Sequence, residues 1–419
     1  MRIKTKQKRS RLVVKFGGSS LSSPGKISKA VQTVTQEMER GAQMTVVVSA
    51  MGRTTDSLLE TISGTSSSNR SSDHVDDILS MGERTSARVF HAALSAQGVR
   101  SKCFDPREED WPIITNDNFG DATPILTACQ RLIRRQVTPC LRDRVIPVLP
   151  GFVGRTADGR VTTMGRGGSD ITAFLLARCL PADESILVTD TDGLMTADPK
   201  LVDTARPIPE ISIRQLIGLA DSGTKFLKTK ALRYLNGTFN VRITSNMAGS
   251  LRSSGTIIKG SLGEELTTEL ETPHPSAMVT ITGENISQHP KILSEILSKV
   301  AHQKAKILGF SANSNSLIIY VHLKRKNRLV SDIHKSVLMH PEMKAMAVRD
   351  NLSLIKIVGV GLVQTPGLIA SVSEPLRENR LNIYGIFTIA SSISVVVDWQ
   401  QRKKALQLVK KSLRRLHHD

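Results

Sequence analysis

Two glycine-bearing runs hold the residues whose types and spacing point most directly to chemistry. The first is Lys15-Phe16-Gly17-Gly18-Ser19-Ser20, directly after an apolar run, Leu12–Phe16, that reads as a short strand. Paired glycines let backbone N–H groups approach a phosphate closely. Lys15 would add a point charge at the β- and γ-phosphates, and the serines would add hydroxyl donors. It is not a Walker loop, because G-x-x-x-x-G-K-[ST] does not occur in the chain. Alone, a Gly-Gly turn is more often an ordinary structural turn than a phosphate cradle. The second run is Gly165-Arg166-Gly167-Gly168-Ser169-Asp170, just before a helix expected from about Ile171. Helix N-termini attract anions, and an arginine suits forked recognition of a carboxylate. Asp170 either caps that helix or holds Lys15. Two such turns carrying opposite charges point to phosphoryl transfer more strongly than either does alone. A third run, Val188-Thr189-Asp190-Thr191-Asp192-Gly193 continuing through Asp198-Pro199-Lys200, follows a buried strand. It would therefore lie at a strand's carboxyl end, where α/β proteins bind ligands. EF-hand spacing is missing, and a type I′ turn is the plain alternative for Asp192-Gly193.

These runs need elements to position them. Leu12–Phe16, Thr45–Ser49, Val145–Leu149 and Ser185–Thr189 read as buried strands, with Val241–Thr244 and Thr256–Ile258 as closing strands. Helices are expected over Ile27–Arg40, from Leu58, over about Asp76–Ala96 and over Asp170–Cys179; serine-rich Ser63–Ser72 reads as a surface loop. Such alternation predicts a three-layer αβα fold with a mostly parallel sheet. Composition shifts at Leu262–Pro275, a candidate linker. Beyond it a β-α-β-β-α pattern with an expected final strand occurs twice, a repeated ferredoxin-like (βαββαβ) motif. The expected domains are residues 1–262, 273–345 and 346–419.

Composition excludes several classes. The chain has 419 residues, 4% aromatic, a net charge of +19 and four cysteines. The cysteines form no CxxC pair, and His74, His91 and His274 stand apart, so no disulfide framework or protein metal site is expected. Scattered thiols suit a reducing cytoplasm. Basic clusters at both ends lack the aromatics that stack bases, so they read as solvated surface rather than a nucleic-acid site. No signal peptide or membrane-spanning run is seen.

Taken in order, further runs join the first three: Ser49-Ala50-Met51-Gly52 with Thr54-Thr55-Asp56, Met81-Gly82-Glu83-Arg84, Pro150-Gly151-Phe152 and Thr162–Asp170. Together with Lys15–Ser20 and Thr189–Pro199 they resemble the aspartate kinases of the amino-acid kinase family. The paired C-terminal units resemble ACT domains. That resemblance implies ATP-dependent phosphorylation of L-aspartate at its β-carboxylate, the first step toward lysine, threonine and methionine, with ATP and Mg2+ as cofactors. It makes Lys15 and Asp170 the catalytic pair, with Lys15, Gly17, Gly18, Ser19, Thr189, Asp190, Lys200 and Lys225 on the ATP side. Ser49, Thr55, Glu83, Phe152, Arg166 and Ser169 would form the aspartate site, with Glu83 on the ammonium and Arg166 on the α-carboxylate. The chain departs from the family around Gly223–Thr229, at Lys200 where an arginine is common, and at Met195 where an aromatic is common. A glutamate-type kinase or a non-catalytic amino-acid sensor are the alternatives. An effector, lysine or threonine, would sit at Gln364, Gly367 and Asn382, a turn into a helix N-terminus that is otherwise an ordinary strand–helix turn. Pairing through ACT domains implies a homodimer or higher homo-oligomer.

Overall fold

The structure, a computed structural model, describes residues 10–64, 72–221, 227, 229–260, 267–322, 326–359, 362, 366–389 and 392–415. Most of the expected Ser63–Ser72 loop, together with Lys225 and Gln364, lies outside them. The chain divides into two units, Met1–Glu264 and Glu265–Asp419.

The first unit opens β1 (Arg11–Phe16), α1 (Pro24–Glu39), β2 (Gln43–Val48), α2 (Thr54–Gly64) and α3 (Ser72–Ala96). It continues β3 (Ser101–Cys103), α4 (Leu126–Arg142), β4 (Ile146–Pro150), β5 (Val153–Arg155), β6 (Val161–Thr163), α5 (Gly168–Cys179) and β7 (Glu184–Thr189). It closes with β8 (Glu210–Ser212), α6 (Ile213–Asp221), α7 (Thr229–Leu232), β9 (Asn240–Ser245) and β10 (Thr256–Lys259). Eight strands form one sheet in the order β3-β4-β2-β1-β7-β9-β10-β8. All its pairings are parallel except β9 with β10. From β1 the chain winds outward through β2, while β7 leads away on the other side. The carboxyl end of β1 is thus a topological switch point, where open α/β sheets form their ligand crevice.

Side-chain alternation along β1 decides which residues face which layer. Leu12, Val14 and Phe16 join Val31 and Val34 of α1 and Phe90 and Leu94 of α3 in one apolar core. Lys15 points the other way, toward the layer that contains α5. That helix is apolar nearly all round and buried along its length except at Arg178, as a helix inside a large core must be.

The second unit holds β11 (Thr267–Leu270), β12 (Ser276–Gly283), α8 (Pro290–His302), β13 (Lys306–Ala312), β14 (Ser316–His322) and α9 (Lys326–Met339). It ends β15 (Met343–Val358), α10 (Leu368–Glu378), β16 (Gly385–Ile389), β17 (Ser392–Asp398) and α11 (Arg402–Arg415). Its sheet differs from the expectation of two consecutive repeats. The 16-residue β15 crosses the expected 345/346 boundary. Its first half is the last strand of β13-β14-β12-β15, and its second half is the first strand of the next repeat. The closing strand expected after α11 is supplied instead by β11, which pairs antiparallel with Ile355–Val358. Each half has its own aliphatic core. No helix among the described residues is long and apolar enough to cross a membrane.

Candidate active site

The two glycine loops meet at the carboxyl end of β1. Lys15 Nζ lies 2.8 Å from Asp170 Oδ1. Asp170 stands in the first turn of α5, whose N-cap, Gly167, has φ +85°. Gly167 rather than Asp170 occupies the N-cap, so of the two expected roles the aspartate takes the one of holding the lysine. The Gly17 N–H donates to the Val188 carbonyl at 3.1 Å, which ties the first loop to the end of β7. Ser20 Oγ donates to the same carbonyl at 3.3 Å. At Gly18 a Cβ would come within 2.6 Å of the Ala50 carbonyl, so the backbone passes where only glycine fits. Ser19 is exposed beside it.

Glu83 lies on α3, which runs under these loops. Its side chain is buried at 4% exposure, yet Oε2 has no hydrogen-bond partner. Burial pushes its carboxyl up to about 7, against backbone hydrogen bonds from Ala50 and Glu83 itself. A buried carboxylate oxygen left unpaired is costly, and an incoming cation would relieve that cost. Thr55 borders the same spot, since a Cβ on Gly82 would lie 3.8 Å from Thr55 Oγ1. Ser49 follows β2, and its N–H donates to the Phe16 carbonyl at 3.0 Å.

The second loop packs on the Pro150-Gly151-Phe152 turn. A Cβ on Gly151 would meet Ser169 Cβ at 2.7 Å, and one on Gly168 would meet Phe152 Cδ2 at 2.8 Å. Phe152 has φ +67°, and its carbonyl accepts from Met164 N–H at 2.9 Å. Arg166 is exposed at the head of the turn, with no ion pair or hydrogen bond among the described residues. The structure thus links Lys15, Gly17, Gly18, Ser49, Thr55, Glu83, Phe152, Ser169 and Asp170 through a continuous set of neighbours.

The remaining expected residues are less closely tied. Thr189 Oγ1 donates to Asp190 Oδ1 at 3.0 Å at the end of β7. Lys200 is exposed, and its backbone N–H caps Asp198. In the second unit Gly367 has φ +75° and heads α10, and Asn382 is exposed. Among the described residues no group of three His, Cys, Asp or Glu side chains could hold a metal by itself.

One buried acid was missed by sequence reasoning. Asp76, 1% exposed, lies two helical turns before Glu83 on α3. Its signal was available: Asp76, Leu79, Ser80, Glu83, Ala87, Phe90 and Leu94 follow helical spacing on one buried face, which is an unusual place for an acid.

Comparison with known proteins follows the same lines. A model of the amino acid kinase family matches residues 10–245, and a model of the ACT domain matches residues 347–411. The aspartokinase of Corynebacterium glutamicum is 30% identical over 398 residues, covering 92% of each chain. That of Geobacillus stearothermophilus is 29% identical over 403 residues, covering 94% of this chain and 95% of its own. Among solved structures, aspartate kinase from Synechocystis aligns with a TM-score of 0.75 at 24% identity, covering 96% of this chain and 69% of that one. Escherichia coli aspartokinase III in complex with aspartate and ADP aligns with a TM-score of 0.53 at 23% identity, covering 96% and 99%. At these identities the structural likeness establishes the fold.

Proposed function

This chain belongs to the amino acid kinase family, among its aspartokinases, and we propose that it transfers the γ-phosphoryl group of ATP to the β-carboxylate of L-aspartate, giving 4-phospho-L-aspartate, through the site just described. The observation that carries the reading is Glu83. A buried, unpartnered carboxylate oxygen asks for a cation, and the exposed Arg166 guanidinium offers an anion site on the neighbouring loop. Together they suit an α-amino acid.

The chemistry needs little beyond positioning. The β-carboxylate of aspartate is ionised at neutral pH, so no strong general base is required. The phosphoryl group moves in line, and the enzyme's task is alignment and neutralisation of charge. Lys15 neutralises charge on the transferring phosphate, and Asp170 holds Lys15 in place. Gly17, Gly18 and Ser19 present donors to the phosphates. Glu83 takes the substrate's ammonium, Arg166 its α-carboxylate, while Ser49, Thr55, Phe152 and Ser169 line the site. Thr189, Asp190, Lys200 and Lys225 serve the nucleotide. Mg2+ would fit a site of this kind because it keeps waters and phosphate oxygens and needs only one or two carboxylates; with Asp170 engaged by Lys15, Asp190, exposed just after β7, would be the carboxylate to hold it. When bound with ATP it adds further neutralisation of the phosphates.

This reaction opens the route to lysine, threonine and methionine, in the cytoplasm where both substrates are found. We take residues 1–262 as the catalytic domain and 273–345 and 346–419 as ACT repeats, the second completed by β11. Lysine or threonine is the proposed effector, at Gln364, Gly367 and Asn382, in a homo-oligomer joined through the ACT repeats. The deciding experiment traps the acyl phosphate as hydroxamate from ATP with aspartate or glutamate. Product with glutamate alone would overturn the substrate, and effector binding without product from either would favour a sensor.

A further inference from the structure

The loop that presents Arg166 is held from two sides by charged side chains that bond to the protein's own backbone and side chains. On the inner side Asp76 accepts from Thr163 N–H at 2.7 Å, Thr163 Oγ1 at 2.8 Å and Gly120 N–H at 2.9 Å. Thr163 ends β6, three residues before Arg166. On the outer side Lys230 Nζ donates to Asp121 Oδ1 at 2.7 Å, to the Asp121 and Ala122 carbonyls at 3.0 and 3.2 Å, and to the Met164 carbonyl at 3.4 Å. Between them Gly165 adopts φ +69°, and a Cβ there would come within 2.5 Å of Asp121 Oδ1.

A buried carboxylate spent on backbone and hydroxyl donors is an expensive way to stabilise a fold, because its desolvation offsets much of what the bonds return. Its distinctive property is geometric. Three donors converging on one carboxylate leave the strand end and the 117–121 loop little freedom. The helix that supplies this anchor also supplies Glu83, so one rigid element locates both the ammonium site and the base of the Arg166 turn.

We infer that Asp76 is a positioning residue that fixes, through α3 and assisted by Lys230, where the α-amino and α-carboxylate groups of the substrate are held. With that end fixed, only a side chain of the right length brings its carboxylate to the phosphoryl group at Lys15. Asp76 thereby contributes to the choice of aspartate over the longer glutamate. This rests on the reading of Glu83 and Arg166 as the substrate's anchors.

The test uses the full-length enzyme. Asp76→Asn is isosteric but turns an amide NH2 toward donors, so it loosens the anchor without creating a cavity. Its KM for aspartate should rise about tenfold while its KM for ATP stays within about twofold, since small misplacements of a bound reactant are costly in rate and binding. The ratio of kcat/KM for aspartate to that for glutamate should fall in step. Lys230→Met, at a partly exposed position, should give the same split in a weaker form, and Lys230→Arg should restore it. If Asp76→Asn does not fold, the two lysine variants alone decide. Equal rises in both KM values, or an unchanged aspartate-to-glutamate ratio, would overturn the inference. A wild-type enzyme inactive on aspartate would instead remove the underlying reading.

Discussion

Lys15 Nζ sits 2.8 Å from Asp170 Oδ1, with only 16% and 11% of the two side chains exposed. The pair joins the strand that ends in the first glycine loop to the helix that begins at the second. In this setting a lysine is held at one point in space, with less screening than at the surface. Lys15→Ala should lower kcat by about 10²–10³-fold, the usual effect of deleting one preorganised charge or donor at developing negative charge. Asp170→Asn should cost less, since the lysine remains but is no longer held. Steady-state turnover of Lys15→Ala near the wild-type value would remove Lys15 from the catalytic role.

Glu83 gives the activity a pH dependence whose sign is fixed. Only the ionised carboxylate can hold an ammonium group, and burial pushes its carboxyl up to about 7 in the free protein. Therefore kcat/KM for aspartate should climb between about pH 6 and pH 8, while kcat at saturating aspartate stays flatter, because the bound cation favours the ionised form. Glu83→Gln should raise KM for aspartate and flatten the acid limb. A limb that persists in that variant would assign it to another group.

The same group predicts a stability effect. A carboxyl pKa raised from 4.5 to about 7 means that the folded form holds this proton where the unfolded chain has released it. Stability from this source is full below the unfolded value and declines as pH rises through the window to about 7. Glu83→Gln should therefore melt higher than wild type at pH 8, by at most about 3 kcal/mol. Aspartate should restore wild-type stability more than that of the variant, because only the wild type gains an ion pair on binding. Thermal melts with and without aspartate measure both effects.

Local patterns made much of this site legible in the sequence. Both glycine loops follow or precede an element whose apolar run is unmistakable, and each carries its own charge beside its glycines. Asp76 was visible in the sequence only as an acid on an apolar helix face; its role was not legible, because it depends on α3 passing beside β6, an approach that no short window records. The closing strand of the second ferredoxin-like half was hidden for a different reason. Thr267–Leu270 is four residues with one apolar member, within a stretch whose composition reads as linker, and its partner lies far along the chain. The long β15 reads as two strands because its burial pattern changes near Leu352, where it passes from one half to the other.

Gly151 tests the packing of the second loop. A methyl there would lie 2.7 Å from both Cβ and Oγ of Ser169 and 2.9 Å from its Cα, so the first turn of α5 must move. Gly151→Ala should lower kcat/KM by about 10–10²-fold through displacement of Ser169 and Asp170. It should also cost about 1–3 kcal/mol of stability, as overpacking usually does. Gly25→Ala is the control, because nothing lies within 4 Å of the added methyl. Equal activity in the two variants would show that the α5 turn tolerates displacement.

The second unit makes its own prediction at the junction of its two halves. Tyr320 on β14 donates its hydroxyl to the Tyr384 carbonyl at 3.0 Å, and its ring lies 5.5 Å from that of Phe387. With Leu352, Leu354 and Val396 these rings form a small core shared by both halves. Gly385 lets the hydroxyl approach, since a Cβ there would lie 2.3 Å from it. Tyr320→Phe removes one hydrogen bond and should cost about 1 kcal/mol. Gly385→Ala drives a methyl into the same ring and should cost about 2–3 kcal/mol. In the double variant the two losses should not add, because the alanine already displaces the hydroxyl whose bond the phenylalanine deletes. Denaturant unfolding of the four proteins measures this coupling, and strict additivity would show that the Tyr320 hydroxyl and Gly385 act independently.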